Sequence, residues 1–358
     1  MTVADTATTR TPSAAASRPG GSLPAAVAAY FFGGAGREET LRANEAAWQR
    51  LHLLPRVLRT PAHISTQIQL LDRTWPTPWL AAPMAHLRLA HPHAETGLAL
   101  ASATQGAGMV LSTQATTPLE DVARAVQGEP GRGPLWFQLY PYGTRAQWQQ
   151  LAQRAADAGY EALVLTVDAP VQWPQTRARA AGFALPTDWP QPNLPAPAPQ
   201  GTLQSVLAAA PRWEDVAWLR ANAPLPLLLK GVLHPDDART AVDEGLCDGL
   251  IVSNHGGRVL DGLPATAAAL PAIVAAVRDR VPVLVDGGLR SALDVVRALA
   301  MGARGVLIGR PLIAALADGG AQAVASLWRQ WRDELGALLA LCGVEQPGEL
   351  HPSLLQSA

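Results

Sequence analysis

The chain has 358 residues, with 29 acidic side chains against 28 basic ones and a formal net charge of −1. That balance excludes a broad basic face for nucleic acid, and no apolar run approaches the ~18 residues of a membrane span. The two cysteines, Cys247 and Cys342, read as buried thiols of a protein in a reducing cytoplasm, neither a disulfide nor a metal site.

The first 22 residues, MTVADTATTRTPSAAASRPGGS, are small and polar and lack the apolar stretch of a secretion signal. They read as a disordered tail, leaving 23–358 as a single domain. Residues 23–60 look helical, with GGAGREETLRANEAAW forming a glycine turn into a helix. From residue 79 onward, short apolar runs alternate with amphipathic helical stretches. The runs are WLAAPM (79–84), GMVLST (108–113), LWFQLY (135–140), ALVLTVD (162–168), LPLLLKG (225–231), GLIVSN (249–254), PVLVDGG (282–288) and GVLIGR (305–310). Continuous runs of this kind suit strands buried on both faces of a parallel sheet. Thr117-Pro118-Leu119-Glu120 has the spacing of a capping box with proline at the first helical position, and Ser291 with Asp294 repeats the box. Eight strand–helix units in one run predict an α/β fold, a (β/α)8 TIM barrel. A Pro-, Gln- and Ala-rich insert, about residues 170–212, interrupts the spacing after the fourth strand and is a candidate lid. The eleven tryptophans are scattered and serve packing better than base stacking.

In such a barrel, chemistry belongs at the C-terminal ends of the strands. Those ends carry Met84, Ser112, Gln138 with Tyr140, Thr166 with Asp168, Lys230, Ser253 with His255, Asp286, and Gly309 with Arg310. One such residue can be a solvated charge or a turn cap; a polar group on every strand end points to one shared site. The last two units, VDGGLRSALDVV and GVLIGRP, each pair glycine with arginine. Glycine-turn N–H groups beside guanidinium groups make a phosphate site, in the loops where barrels commonly place one.

The stretch SNHGGRVLDGLPAT, residues 253–266, resembles the S-N-H-G-G-R-x-L-D-x-x-P-A-T motif of the FMN-dependent α-hydroxy acid oxidases and dehydrogenases, which include glycolate and lactate oxidases. FQLY (137–140), LTVDAP (165–170), LLKGV (228–232), DGGLRS (286–291), IGRP (308–311) and AHPHAE (90–95) support the resemblance, which spans roughly residues 23–350. It implies an FMN cofactor with its phosphate on Gly288, Arg290, Gly309 and Arg310. The flavin ring would contact Pro83, Met84 and Ala85 and bond Ser112, Gln138 and Thr166. Lys230 would sit beside the ring edge that gains negative charge on reduction, Ser253 would support the ring, and Asp286 would help bind the ribityl chain or the phosphate loop. His255 would accept the substrate proton, as a neutral imidazole can, with Asp168 fixing its tautomer. Arg258, Tyr30 and Tyr140 would grip the substrate carboxylate and hydroxyl. The implied partners are a small hydroxy acid and O2 or another electron acceptor, in a cytoplasmic homo-oligomer, a tetramer by resemblance.

Two positions depart from the family pattern. Where relatives continue T-V-D-x-P-x-x-G-x-R, this chain reads TVDAPVQWPQ, so Gln175 takes the place of a second carboxylate-binding arginine and Pro174 that of its neighbour. Arg177 or Arg179 could substitute if the loop is rebuilt. Gln114 stands where glycolate oxidases have tryptophan. Two other functions stay in view: a flavin-binding relative with altered substrate or lost turnover, and a phosphate-binding barrel in which Lys230 forms a Schiff base.

Overall fold

Each of the eight apolar runs forms a strand in the computed structural model, which describes residues 20–171, 175–195 and 202–357. The strands are β1 (Trp79–Ala81), β2 (Gly108–Ser112), β3 (Leu135–Leu139), β4 (Ala162–Thr166), β5 (Leu227–Val232), β6 (Gly249–Val252), β7 (Val283–Val285) and β8 (Gly305–Ile308). All pairings are parallel, and β8 closes the barrel on β1 through Val306 opposite Trp79 and Ile308 opposite Ala81. Helices α1 (Ala25–Phe32) and α2 (Glu39–Gln49) precede the barrel. Helices α3 (Ala94–Thr104), α4 (Leu119–Val126) and α5 (Arg145–Asp157) follow the first three strands in turn. After β4 come α6 (Thr176–Ala180), α7 (Leu203–Ala208) and α8 (Trp213–Asn222); α9 (Pro235–Asp243), α10 (Thr266–Val277), α11 (Ala292–Ala300) and α12 (Arg310–Cys342) complete the ring.

Strand parity decides which residues see the mouth. Side chains alternate faces along a strand, and the barrel interior holds Leu80, Val110, Trp136, Val164, Leu228, Ile251, Leu284 and Leu307. Two residues further along each strand, on the same inward face, come Ala82, Ser112, Gln138, Thr166, Lys230, Ser253, Asp286 and Gly309. The apolar layer below holds the polar layer above. The opposite parity, including Leu111, Phe137, Leu163, Leu229 and Val252, packs under the helices in a second, larger core. Each of these buried aliphatic side chains contributes about 1.5–3 kcal/mol, so the site rests on a rigid floor. A two-residue turn at Leu71 and Asp72 (φ +48° and +56°) folds Ile68–Leu70 onto Arg73–Trp75. That hairpin adds Leu70 and Trp75 to the interior, with Trp75 edge-on to Trp136 at 5.2 Å.

The leading helices are tied to the mouth loops. Asn44 on α2 exchanges hydrogen bonds with Asn254 at 2.9 and 2.8 Å, and the Trp48 indole donates to the Gly287 carbonyl at 2.8 Å. Asp261, in the motif after His255, accepts from the N–H groups of Arg37 (2.8 Å) and Thr40 (2.9 Å) and caps α2 from outside. Helical structure ends before residue 60, however. Leu51–Leu53 pairs antiparallel with Leu355–Ser357, and Pro55 and Pro61 prevent helix beyond it. Of the expected tail, residues 1–19 lie outside the described residues. Within 20–22, the Ser22 hydroxyl donates to the Ala317 carbonyl at 2.8 Å.

The expected capping box at Thr117 is not formed. Pro118 at φ −54°, ψ 140° precedes α4, and the Thr117 hydroxyl turns away to Glu95 at 2.6 Å. The cap comes from the insert: buried Asn193 accepts from Leu119 N–H at 2.9 Å and donates to the Thr117 carbonyl at 2.8 Å. The Ser291 cap does form, accepting from Asp294 N–H. Helix α12 kinks at Gly319–Gly320, where Gly320 has φ +62° and a Cβ would meet the His91 ring at 2.9 Å. Both cysteines are buried and unbridged. Among the described residues no helix is long and apolar enough to cross a membrane.

Candidate active site

The inward polar layer opens into a cavity of about 560 Å³ at the C-terminal ends of the strands. Every residue expected at the site lines it except Asp168 and Ser253, which stand just behind its wall. Asp168 holds His255 from behind, and Ser253 lies beneath Lys230 and His255.

His255 is the first of three consecutive left-handed residues, with φ +57°, followed by Gly256 at +61° and Gly257 at +72°. A non-glycine residue there is strained by about 1–2 kcal/mol. The surrounding bonds impose it: His255 N–H donates to the Ser253 hydroxyl at 3.0 Å, and a Cβ on Gly257 would meet the Leu41 nitrogen at 2.7 Å. The turn presents both imidazole nitrogens to partners. Nδ1 is 3.0 Å from Asp168 Oδ1, and Nε2 is 3.3 Å from the Tyr140 hydroxyl. Burial alone would raise the Asp168 carboxyl. The charge and hydrogen bond of His255, with Lys230, hold it below the ordinary carboxylate value. A carboxylate accepting from Nδ1–H leaves Nε2 bare toward the cavity. Burial, then the neighbouring Tyr142, Asp168 and Tyr30, push the Tyr140 phenol well above its usual value. It remains a hydrogen-bond donor.

On the neighbouring strands Ser112 donates to Gln138 Oε1 at 3.1 Å, and Gln138 Nε2 donates to Thr166 at 3.0 Å. This ladder crosses three strand ends. Lys230 Nζ donates to Ser253 at 2.8 Å and pairs with Asp286 Oδ2 at 2.9 Å. The pair engages the amine that a Schiff-base mechanism would need free. The other oxygen of Asp286 is buried without a hydrogen-bond partner, so it can accept from a ligand hydroxyl.

Arg310 begins α12. Its guanidinium donates to the backbone carbonyls of Gly256 (2.9 Å), Gly33 (2.8 Å) and Phe31 (3.3 Å). Among the described residues it has no carboxylate partner. Removal from water, with Arg258 and Arg290 nearby, lowers it to about 9. Such a cation at a helix N-terminus is poised for an anion. Arg290 lines the same end but reaches Glu45 on α2 at 2.6 Å. Gly288 has φ +85°, and a Cβ there would collide with the Asn44 carbonyl. Arg258 donates to the Tyr30 carbonyl at 2.7 Å and lies over the Tyr30 ring, 5.1 Å from its centroid.

The insert supplies the outer wall. Phe183 stacks on Tyr30 at 4.4 Å and 12°, with Ala178, Leu185 and Gln175 beside it. Gln175 Oε1 is buried there without a partner. Arg177 does not enter. It pairs with Glu38 at 3.0 Å and donates to the Phe32 carbonyl; Arg179 is exposed. Trp173, beside Gln175, lies outside the described residues. Sequence reasoning missed Phe183 and Leu185 in this wall, and Tyr142 and His86 elsewhere in the cavity lining. They stand on loops, where neither strand parity nor helical period marks a facing.

Fold and site together define an α/β barrel whose mouth gathers a carboxylate-held imidazole and a cluster of guanidinium groups. The family model for FMN-dependent dehydrogenases matches residues 21–357. The chain is 44% identical over 340 residues to an L-lactate oxidase of Alicycliphilus denitrificans, covering 92% of each chain. It is 40% identical over 336 residues to a 4-hydroxymandelate oxidase of Amycolatopsis orientalis, covering 91% of this chain and 92% of that one. The crystal structure of mandelate oxidase with (S)-2-phenylpropionate superposes with a TM-score of 0.86 at 38% identity, covering 95% of this chain and 96% of that one. The chain belongs to the FMN-dependent α-hydroxy acid oxidase and dehydrogenase family; it is a flavoenzyme whose cofactor is FMN.

Proposed function

We propose that the protein oxidises an α-hydroxy acid with an apolar side chain larger than that of lactate to the α-keto acid. The carrying observation is His255, held by Asp168 at 3.0 Å with Nε2 facing the cavity beside Tyr140 and Arg258. FMN fits the rest of the mouth part by part. Its phosphate would lie on Arg310 and the turns at Gly288 and Gly309, with Arg290 alongside. The partnerless Asp286 oxygen would accept from a ribityl hydroxyl. Ser112, Gln138 and Thr166 would meet the polar edge of the ring, Pro83, Met84 and Ala85 would contact it, and Ser253 would support it through Lys230. When bound, FMN supplies a two-electron acceptor at N5.

The remaining work belongs to side chains. Arg258 would hold the carboxylate by charge-assisted hydrogen bonds, and Tyr30 and Tyr140 would orient it and the hydroxyl. His255 would take one proton from the substrate as the electron pair leaves, and Asp168 would stabilise the imidazolium that forms. The Lys230 ammonium would stabilise negative charge gained by the ring. Electrons would then pass to O2 or another acceptor. The apolar wall of Phe183, Leu185 and Val259, and a carboxylate site with glutamine at position 175, support a bulkier side chain. The test is anaerobic mixing of the holoprotein with a panel of hydroxy acids while flavin absorbance is followed. Bleaching by mandelate-sized acids ahead of glycolate and lactate is expected; no bleaching by any of them would sink the reading.

A further inference from the structure

His86 follows β1 and lines the cavity, yet none of the roles above uses it. It is 8% exposed, with its backbone left-handed at φ +56° and its N–H bonded to the Gln114 carbonyl at 3.1 Å. Among the described residues, neither ring nitrogen has a hydrogen-bond partner. An imidazole on the cavity wall with neither nitrogen engaged is free to bond a ligand there. Its ring lies 6.4 Å from that of Tyr30, and Tyr30 is also the ring over which Arg258 sits. Tyr30, in the carboxylate seat proposed above, thus neighbours both the Arg258 guanidinium and the His86 imidazole.

We propose that His86 is a second cationic grip on the substrate carboxylate, taking up one proton as the anion enters. This rests on the oxidase reading of the site. Arg258 is shared with backbone carbonyls of Tyr30, Phe31 and Gly33, Gln175 carries no charge, and Arg177 is committed to Glu38. An arriving carboxylate thus meets less positive charge than two free guanidinium groups would supply, and His86 can make up the deficit. The titratable groups facing it are few. Glu95 on α3 attracts the proton, but its carboxylate already accepts from Leu87 and Thr116 N–H and from the Thr116 and Thr117 hydroxyls. Tyr30 on α1 is the neighbouring ring, and Arg258, His255, Lys230 and Arg310 line the same cavity. Burial lowers the imidazole below its ordinary value and Glu95 partly offsets this, so without an anion His86 is neutral near pH 7. A bound carboxylate raises it. The sign follows: anion affinity is greatest at low pH and falls as pH rises through the value of the bound state.

The probes are phenylacetate and its neutral counterpart phenylacetamide, which lack the α-hydroxyl and leave the flavin oxidised. Their Kd values are read from the flavin spectrum of the holoprotein between about pH 6 and pH 8, with proton uptake followed by an indicator dye. Phenylacetate should bind more weakly as pH rises, by up to about tenfold per unit, with uptake of a proton; phenylacetamide should be indifferent to pH. His86→Gln should flatten the phenylacetate profile and abolish the uptake while leaving phenylacetamide affinity close to the parent's. His255→Gln should keep the slope. An unchanged slope in His86→Gln, its loss in His255→Gln instead, or no phenylacetate binding at any pH overturns the inference. The oxidase reading fails separately, if no hydroxy acid bleaches the flavin of the parent protein.

Discussion

His255 shows how much chemistry one strained residue can concentrate. Its left-handed backbone aims Nδ1 at Asp168 and Nε2 at the cavity, so removing the ring should leave the cofactor seat intact. His255→Ala is expected to retain FMN but slow its reduction at least ~10²-fold, the usual lower bound for a positioned base. Asp168→Asn should also slow it, because the imidazolium loses its counter-charge. Since the Asp168 carboxyl lies below its ordinary value, it is ionised throughout neutral pH. The support it lends disappears only as pH falls through that depressed value. Rates in stopped-flow reduction check both variants; parental rates in either would remove the assignment. Gln175 is the complementary case, an absence of charge. Gln175→Arg should tighten glycolate or lactate binding about 10–100-fold, since one charge-assisted hydrogen bond is worth about 1.5–3 kcal/mol. Arg177→Ala should leave that affinity nearly unchanged, because its guanidinium faces Glu38 and Phe32. A collapse of hydroxy acid binding in Arg177→Ala would mean that the loop rearranges around it.

Among the elements, those legible in the chain were the ones whose pattern is periodic. Eight apolar runs became eight strands because burial on both faces leaves no polar interruption to misplace. Parity then placed Ser112, Gln138, Thr166, Lys230 and Asp286 on the inward face. Elements governed by distant partners were not legible. The strand at Leu51–Leu53 exists because the chain terminus, some three hundred residues later, pairs with it. Helix α4 takes its cap from Asn193 in the insert, although its own Thr117 offered a local one. Local hydroxyl capping lost because Glu95, fully buried, needs the Thr116 and Thr117 hydroxyls as donors. Asn193→Ala should therefore destabilise the protein by about 1–2 kcal/mol, the cost of a lost cap. It should also loosen the insert, whose Pro192 and Pro195 carbonyls are held by Arg154 and Gln147. Denaturant unfolding with limited proteolysis of the insert checks both. Unchanged stability would show that α4 is capped by other means.

Across the whole molecule, the barrel, its flanking helices and the insert converge on one concentration of positive charge. Arg258 and Arg290 help to lower Arg310, and backbone carbonyls meet Arg310 where a carboxylate could have done so. The fold thus tolerates an unmatched cation at the start of its longest helix, and an anion bound there relieves it. Ligand that binds only the folded state stabilises by about 2.7 kcal/mol at a hundred times its Kd, so the relief is measurable as a rise in Tm. FMN and riboflavin share the ring and the ribityl chain and differ only in the phosphate. If Arg310 and the Gly288 and Gly309 turns seat that phosphate, FMN should bind at least about 10–100-fold more tightly than riboflavin, the worth of one or two charge-assisted hydrogen bonds. It should raise Tm correspondingly further at equal concentration. In Arg310→Ala the gap should shrink, mostly by loss of FMN affinity, while riboflavin, which never reaches the arginine, changes little. Equal stabilisation by the two flavins in the parent protein would put the phosphate elsewhere. An unchanged gap in Arg310→Ala would give its binding to the backbone turns and the helix terminus alone.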